Sequence, residues 1–202
     1  MRHGQAENNI KRILVGRYKE SHLTEEGKQQ VSETAELLKN MSVDKIISSP
    51  VTRTIETTEI VSKILNMEYS IDDRLYEIDL GTLAGTQYDE VIEKHGDLFL
   101  EFYLNKKNSV LESHNVESFS SVRERIKNLL DEIMERHHSK NILLVTHLDP
   151  IKAAISNILE LSPNALYSWH MRNAALTILK NDHGYWSLSG VNFMSSKRYL
   201  HE

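Results

Sequence analysis

Short apolar runs alternate with stretches of helical period along most of the chain, and that alternation predicts an α/β fold with a mostly parallel sheet and crossover helices. Thr24 is placed to cap a helix running to about residue 40, with Val31, Ala35, Leu37 and Leu38 on its apolar side. Val43, Ile46 and Ile47 then make a short buried strand that stops at Ser48-Ser49-Pro50. Ser49 as cap and Pro50 at the first helical position predict an immediate helix start, because a proline lacks the N–H that would be unpaired there. That helix continues through Ile55, Val61 and Ile64. Residues 141–146 form the clearest buried strand, preceded by a long helix carrying Val122, Ile126, Leu129, Leu130, Ile133 and Met134 on one side. Another helix is predicted from Pro150 to Leu159, and alternation at 175–179 and 186–193 predicts two final strands, antiparallel at an edge. Residues 81–115 fit no strand pattern and read as a helical insertion over one end of the sheet.

Composition narrows the class without changing this picture. The 202 residues are 40% hydrophobic and 26% charged with three Pro and eight Gly, which suits one globular domain spanning 1–202. Twenty-four Lys and Arg against 29 Asp and Glu leave a net charge of −5, so no global positive field exists to hold a nucleic-acid backbone. The absence of cysteine excludes disulfides, thiolate nucleophiles and zinc ribbons. No apolar run approaches a membrane span and no signal-type stretch opens the sequence, so a cytoplasmic chain with no membrane partner is expected. Arg2-His3-Gly4 follows Met1 alone, whereas site loops in open α/β sheets normally follow a buried strand. The expectation is therefore that a first strand is missing, or that the natural chain is longer.

The residues able to carry chemistry are Arg2, His3, Arg53 and His147. Arg53 and His147 follow predicted strands, at the carboxyl ends where open sheets place ligands. Guanidiniums clamp phosphate oxygens in planar pairs, and nearby helix N-termini add N–H donors, so the set suits a phosphoryl group. A carboxyl group is needed to protonate a leaving oxygen. Glu77, in Leu75-Tyr76-Glu77-Ile78-Asp79-Leu80-Gly81, is the candidate, with Asp79 and Asp149 competing. Spacing alone does not assign these roles. The other histidines show no ligand spacing, so no metal site is expected. Lys106-Lys107 read either as a solvated pair or as a second anionic subsite for substrate.

In order along the chain, these residues fall into blocks that resemble the histidine phosphatase superfamily, also called phosphoglycerate mutase-like. The blocks are Arg2-His3-Gly4 with Asn9, Leu23-Thr24-Glu25-Glu26-Gly27, and Ser48-Ser49-Pro50-Val51-Thr52-Arg53 continuing to Thr57. They go on through Leu75 to Gly81 with Gly85, Glu117-Ser118 with Arg123 or Arg125, then Val145-Thr146-His147 and the Asn173 strand. The resemblance implies a three-layer sandwich with the insertion above the site. It also implies that His3 is the phosphorylated nucleophile, that Arg2, Arg53, His147 and Asn9 bind phosphate, and that Glu77 is the acid and then the base. The implied activity is hydrolysis of a small phosphomonoester without a cofactor. The alternative is a mutase interconverting 2- and 3-phosphoglycerate, which needs 2,3-bisphosphoglycerate, and an inactive binding module comes last. Glu77-Ile78-Asp79-Leu80-Gly81 lacks the aromatic and basic pair of the mutases, and Leu148-Asp149-Pro150-Ile151-Lys152 looks like phosphatase-side relatives, which favours the hydrolase. Assembly as a homodimer is compatible with either.

Overall fold

A computed structural model describes residues 1–17, 20–104, 107–159, 161–195 and 198, with 163 and 164 described by backbone alone. A short helix, α1 (Glu7–Lys11), precedes α2 (Glu25–Leu38), whose cap Thr24 accepts the Gly27 N–H at 3.0 Å. Strand β1 (Lys45–Ser48) leads to α3 (Thr52–Leu65) and β2 (Tyr69–Ile71). The stretch 81–115 forms α4 (Tyr88–His95), α5 (Leu98–Leu104) and α6 (Ser109–Ser113), as its lack of strand pattern predicts. Helix α7 (Phe119–Arg136), capped by Ser118, returns the chain to β3 (Ile142–Val145). Helices α8 (Leu148–Leu159) and α9 (Pro163–Ser168) follow, then a hairpin of β4 (Leu176–Asp182) and β5 (Tyr185–Phe193).

The parallel sheet has the order β2-β1-β3, and the β4-β5 pair is antiparallel, as the alternation predicts. Side chains alternate across it and so divide the core. Ile46, Leu143 and Val145 pack with Val31 and Ala35 of α2 and Val61 of α3. Ile47, with half-buried Ile142 and Leu144, packs on the other face with Val122, Ile126 and Leu129 of α7 and Ala153 of α8. Both faces are therefore covered, which is why these strands read as apolar runs. No helix among the described residues is long and apolar enough to cross a membrane.

Two expectations change. Val51, not Ser49, is the residue before α3, and Pro50 lies outside the helix, because the Ser49 hydroxyl is used elsewhere. Strand β2 escaped notice because only three residues pair and two of them are exposed. Beside β3, the first residues add to the parallel pairing. Arg2 pairs with Thr146 in parallel, His3 N–H donates to the Thr146 carbonyl (3.0 Å), and Arg2 N–H donates to Ala175 on the other side (3.1 Å).

Candidate active site

The turn after His3 is fixed by close backbone approach. Gly4 N–H donates to Thr57 Oγ1 (3.1 Å), and Thr24 N–H donates to the Gln5 carbonyl (3.0 Å). A Cβ on Gly27 would stand 2.0 Å from the Gln5 oxygen, so only glycine lets the first turn of α2 meet this loop. The Leu23–Gly27 block is thus the seat of the His3 loop.

His3 and His147 are buried and converge on Arg53, which leaves β1 at the start of α3. The His3 Nδ1 faces the Gly4 carbonyl at 2.7 Å, an oxygen that can only accept, so Nδ1 carries the proton. Its Nε2 lone pair accepts from Arg53 Nε at 3.2 Å. His147 Nδ1 accepts from Arg53 Nη2 (3.0 Å), which leaves its Nε2–H to donate to Ser49 Oγ (2.9 Å). Burial first, and the Arg53 charge second, hold both imidazoles well below the usual histidine range, so both are neutral at pH 7. Both nitrogens of His147 are engaged here, one by Arg53 and one by Ser49.

Arg53 also donates from Nη2 to the Gly16 carbonyl (3.1 Å), but its buried Nη1 has no acceptor. Arg2 donates to the Met171 carbonyl, and its buried Nε likewise has no acceptor. Burial lowers the Arg53 pKa to about 10, which leaves it charged at neutral pH. Buried donors without partners cost about 1–3 kcal/mol each, and here they stand beside a neutral imidazole lone pair. Such an arrangement suits an anion.

Glu77 accepts from Ile78 N–H (3.1 Å) and from Asp149 N–H at the start of α8 (3.4 Å). Desolvation, then the Asp149 charge, push its pKa up to about 7 against the opposing pull of Arg53 and Arg2. Its loop is clamped by Arg125, which donates to the carbonyls of Arg74 (2.6 Å), Tyr76 (2.8 Å) and Glu77 (3.4 Å). Arg125 in turn pairs with Glu117 at 3.0 Å, and Glu117 accepts the Asp79 N–H (3.1 Å). Of the two arginines proposed for this block, Arg125 faces the site; Arg123 bonds Asn157 on the surface.

Asn9 sits behind the pocket: its Oδ1 accepts from Ala6 N–H (2.9 Å) and from Asn173 Nδ2 (3.4 Å), which also reaches the His3 carbonyl (3.2 Å). Lys107 is exposed, and Lys106 lies outside the described residues. Sequence reasoning missed Ser49 as the partner of His147, and it missed Tyr103 and Lys152. Tyr103 OH donates to Asp149 Oδ1 (2.5 Å), and the Lys152 ammonium lies 4.5 Å from the Tyr103 ring centre. A polar residue inside the apolar run of α8 was the signal for Lys152. Tyr103 gave none, since an aromatic in a helical insertion reads as core. Among the described residues no group of three His, Cys, Asp or Glu could hold a metal ion.

Fold and site together define an α/β protein whose buried cationic pocket surrounds a neutral imidazole at the carboxyl edge of a parallel sheet. The family model of the histidine phosphatase superfamily (branch 1) matches residues 1–194, and the chain belongs to that family. It is 32% identical over 187 residues to phosphoserine phosphatase 1 of Hydrogenobacter thermophilus, covering 89% of this chain and 83% of the relative. It is 30% identical over 202 residues to the 2,3-bisphosphoglycerate-dependent phosphoglycerate mutase of Thermoplasma acidophilum, covering 99% and 96%. Among solved structures, Entamoeba histolytica phosphoserine phosphatase in complex with 3-phosphoglyceric acid superposes with a TM-score of 0.81 at 27% identity, covering 96% of this chain and 94% of that one.

Proposed function

We propose that the protein is a phosphohydrolase of small phosphomonoesters that works through a phosphohistidine on His3. The observation that carries this reading is the His3 Nε2 lone pair facing Arg53, beside guanidinium N–H groups on Arg53 and Arg2 that lack acceptors. Arg2 and Arg53 offset the two charges of a phosphomonoester dianion. The phosphate takes up their spare donors and draws Arg53 Nε off the lone pair. Nε2 attacks phosphorus, the P–O bond breaks, and Glu77 gives its proton to the leaving oxygen. The Glu77 carboxylate then takes a proton from water, whose oxygen bonds phosphorus as the N–P bond breaks. Catalysis is positioning plus charge stabilisation, with no metal or organic cofactor required.

The substrate is a small phosphorylated metabolite, in keeping with relatives named for phosphoserine and for phosphoglycerate. A second reading, the mutase dependent on 2,3-bisphosphoglycerate, is favoured by the Thermoplasma relative, which matches 99% of the chain. The deciding experiment is a panel of phosphomonoesters assayed with and without 2,3-bisphosphoglycerate, alongside acid-quenched labelling of wild type and His3→Ala. Phosphate release without the bisphosphate, with an acid-labile label lost in His3→Ala, supports the hydrolase. Isomerisation that requires the bisphosphate supports the mutase, and an unlabelled wild type overturns both.

A further inference from the structure

Two carboxyl groups meet beside the pocket, and the mechanism above uses only one. Asp149 is buried and offers its backbone N–H to Glu77 Oε1 at 3.4 Å, which makes the two carboxyl groups neighbours that act on each other. Two such groups in one desolvated site cannot both ionise cheaply, so they share a proton. Their surroundings are unequal. Asp149 receives the Tyr103 hydroxyl at 2.5 Å and stands in the first turn of α8, where a helix favours negative charge. Lys152, one turn further along α8, is 3% exposed; its ammonium lies 4.5 Å from the ring centre of Tyr103, and its charge acts on Asp149. Among the described residues, the donors to Glu77 are the backbone N–H groups of Ile78 and Asp149.

We propose that Asp149 is the proton partner of Glu77, and that Tyr103 and Lys152 are positioning residues that hold Asp149 as the anion so that Glu77 keeps the acidic proton. This rests on the phosphohistidine reading and extends it, because it assigns a catalytic purpose to the insertion: α5 reaches the reacting groups through Tyr103. The charges facing the pair are Arg2 from the first segment, Arg53 from α3, and Lys152 from α8. Arg125 of α7 spends its donors on Glu117 and on backbone carbonyls. With Lys152 balancing Asp149, Arg2 and Arg53 remain for the phosphoryl dianion. Once Glu77 has given up its proton the pair carries two negative charges. That repulsion makes Glu77 the stronger base for the water that breaks the N–P bond, and the water's proton restores the starting state.

The test is the rate of phosphoenzyme formation in a single turnover, by rapid acid quench, from about pH 5 to about pH 9. Wild type, Asp149→Asn, Tyr103→Phe and Lys152→Met are compared on phosphoserine and on p-nitrophenyl phosphate, whose leaving group needs no proton. In Asp149→Asn the charge that raises Glu77 is gone, so the alkaline limb for phosphoserine should move down by roughly one pH unit. In Tyr103→Phe and Lys152→Met the proton drifts toward Asp149. The phosphoserine plateau should fall about tenfold further than the p-nitrophenyl phosphate plateau, with no downward move of the limb. A structural role alone would lower both substrates equally without moving the limb, and that result overturns the proposal, as does an upward limb in Asp149→Asn. If Lys152→Met does not fold, Tyr103→Phe decides. A wild type that forms no phosphoenzyme fails at the earlier step and overturns the phosphohistidine reading itself.

Discussion

Substitution of Gly27 by alanine sets two effects of opposite sign against each other. Gly27 is in the first turn of α2, and alanine there gains about 1 kcal/mol in helix propensity. Its Cβ, however, would lie 2.0 Å from the Gln5 carbonyl oxygen and 2.9 Å from the Gln5 nitrogen. Since real Cβ atoms keep at least 3.0 Å from such neighbours, helix and loop must part by about 1 Å. Neither partner is a flexible side chain. The Gln5 carbonyl also accepts the Thr24 N–H at 3.0 Å, so the cap of α2 is disturbed as well. Overpacking of this kind costs about 1–3 kcal/mol, enough to cancel or outweigh the propensity gain. The functional loss should be larger, because Gln5 is two residues beyond His3 and a misplacement of about 1 Å costs on the order of a hundredfold in rate. Thermal unfolding by circular dichroism and phosphoenzyme formation by rapid quench would be measured together. A variant with a higher melting temperature and wild-type rate would mean that propensity wins and that α2 does not seat the His3 loop.

Arg53→Ala should lower kcat by about a hundredfold to a thousandfold with a smaller change in KM, the loss typical of one donor to a developing charge; an unchanged kcat would place Arg53 outside the chemistry. Glu77→Gln should abolish proton donation and also change the pH dependence of stability. The native pKa of about 7 lies above the unfolded value, so the group's stabilisation is complete at low pH and is lost as pH rises through 7. The melting temperature of wild type should therefore fall relative to Glu77→Gln between about pH 5 and about pH 8, and parallel curves would contradict the assignment. EDTA should leave turnover intact while vanadate inhibits; activity lost in EDTA and restored by a divalent ion would refute the metal-free mechanism.

Periodicity carried β1, β3 and the main helices, and the Thr24 cap was legible with them. β1 and β3 are short apolar runs because both their faces are covered, and Thr24 and Ser118 cap the helices they precede. Arg2, His3, Arg53, His147 and Glu77 were legible because strand ends deliver residues to one edge, and their ordered blocks resemble a known family. Three-dimensional packing decided the rest. A proline preceded by serine has the local form of a helix start, but the Ser49 hydroxyl is claimed by His147, 98 residues away, and α3 begins at Thr52. Gly4 and Gly27 are visible as letters, while the contact that requires them joins two segments of backbone. Protonation states lie furthest from the sequence. Glu77 and Asp149 are ordinary carboxyls until folding removes water from both and gives the Tyr103 hydroxyl to Asp149, since desolvation and charge act through space between residues distant in the chain.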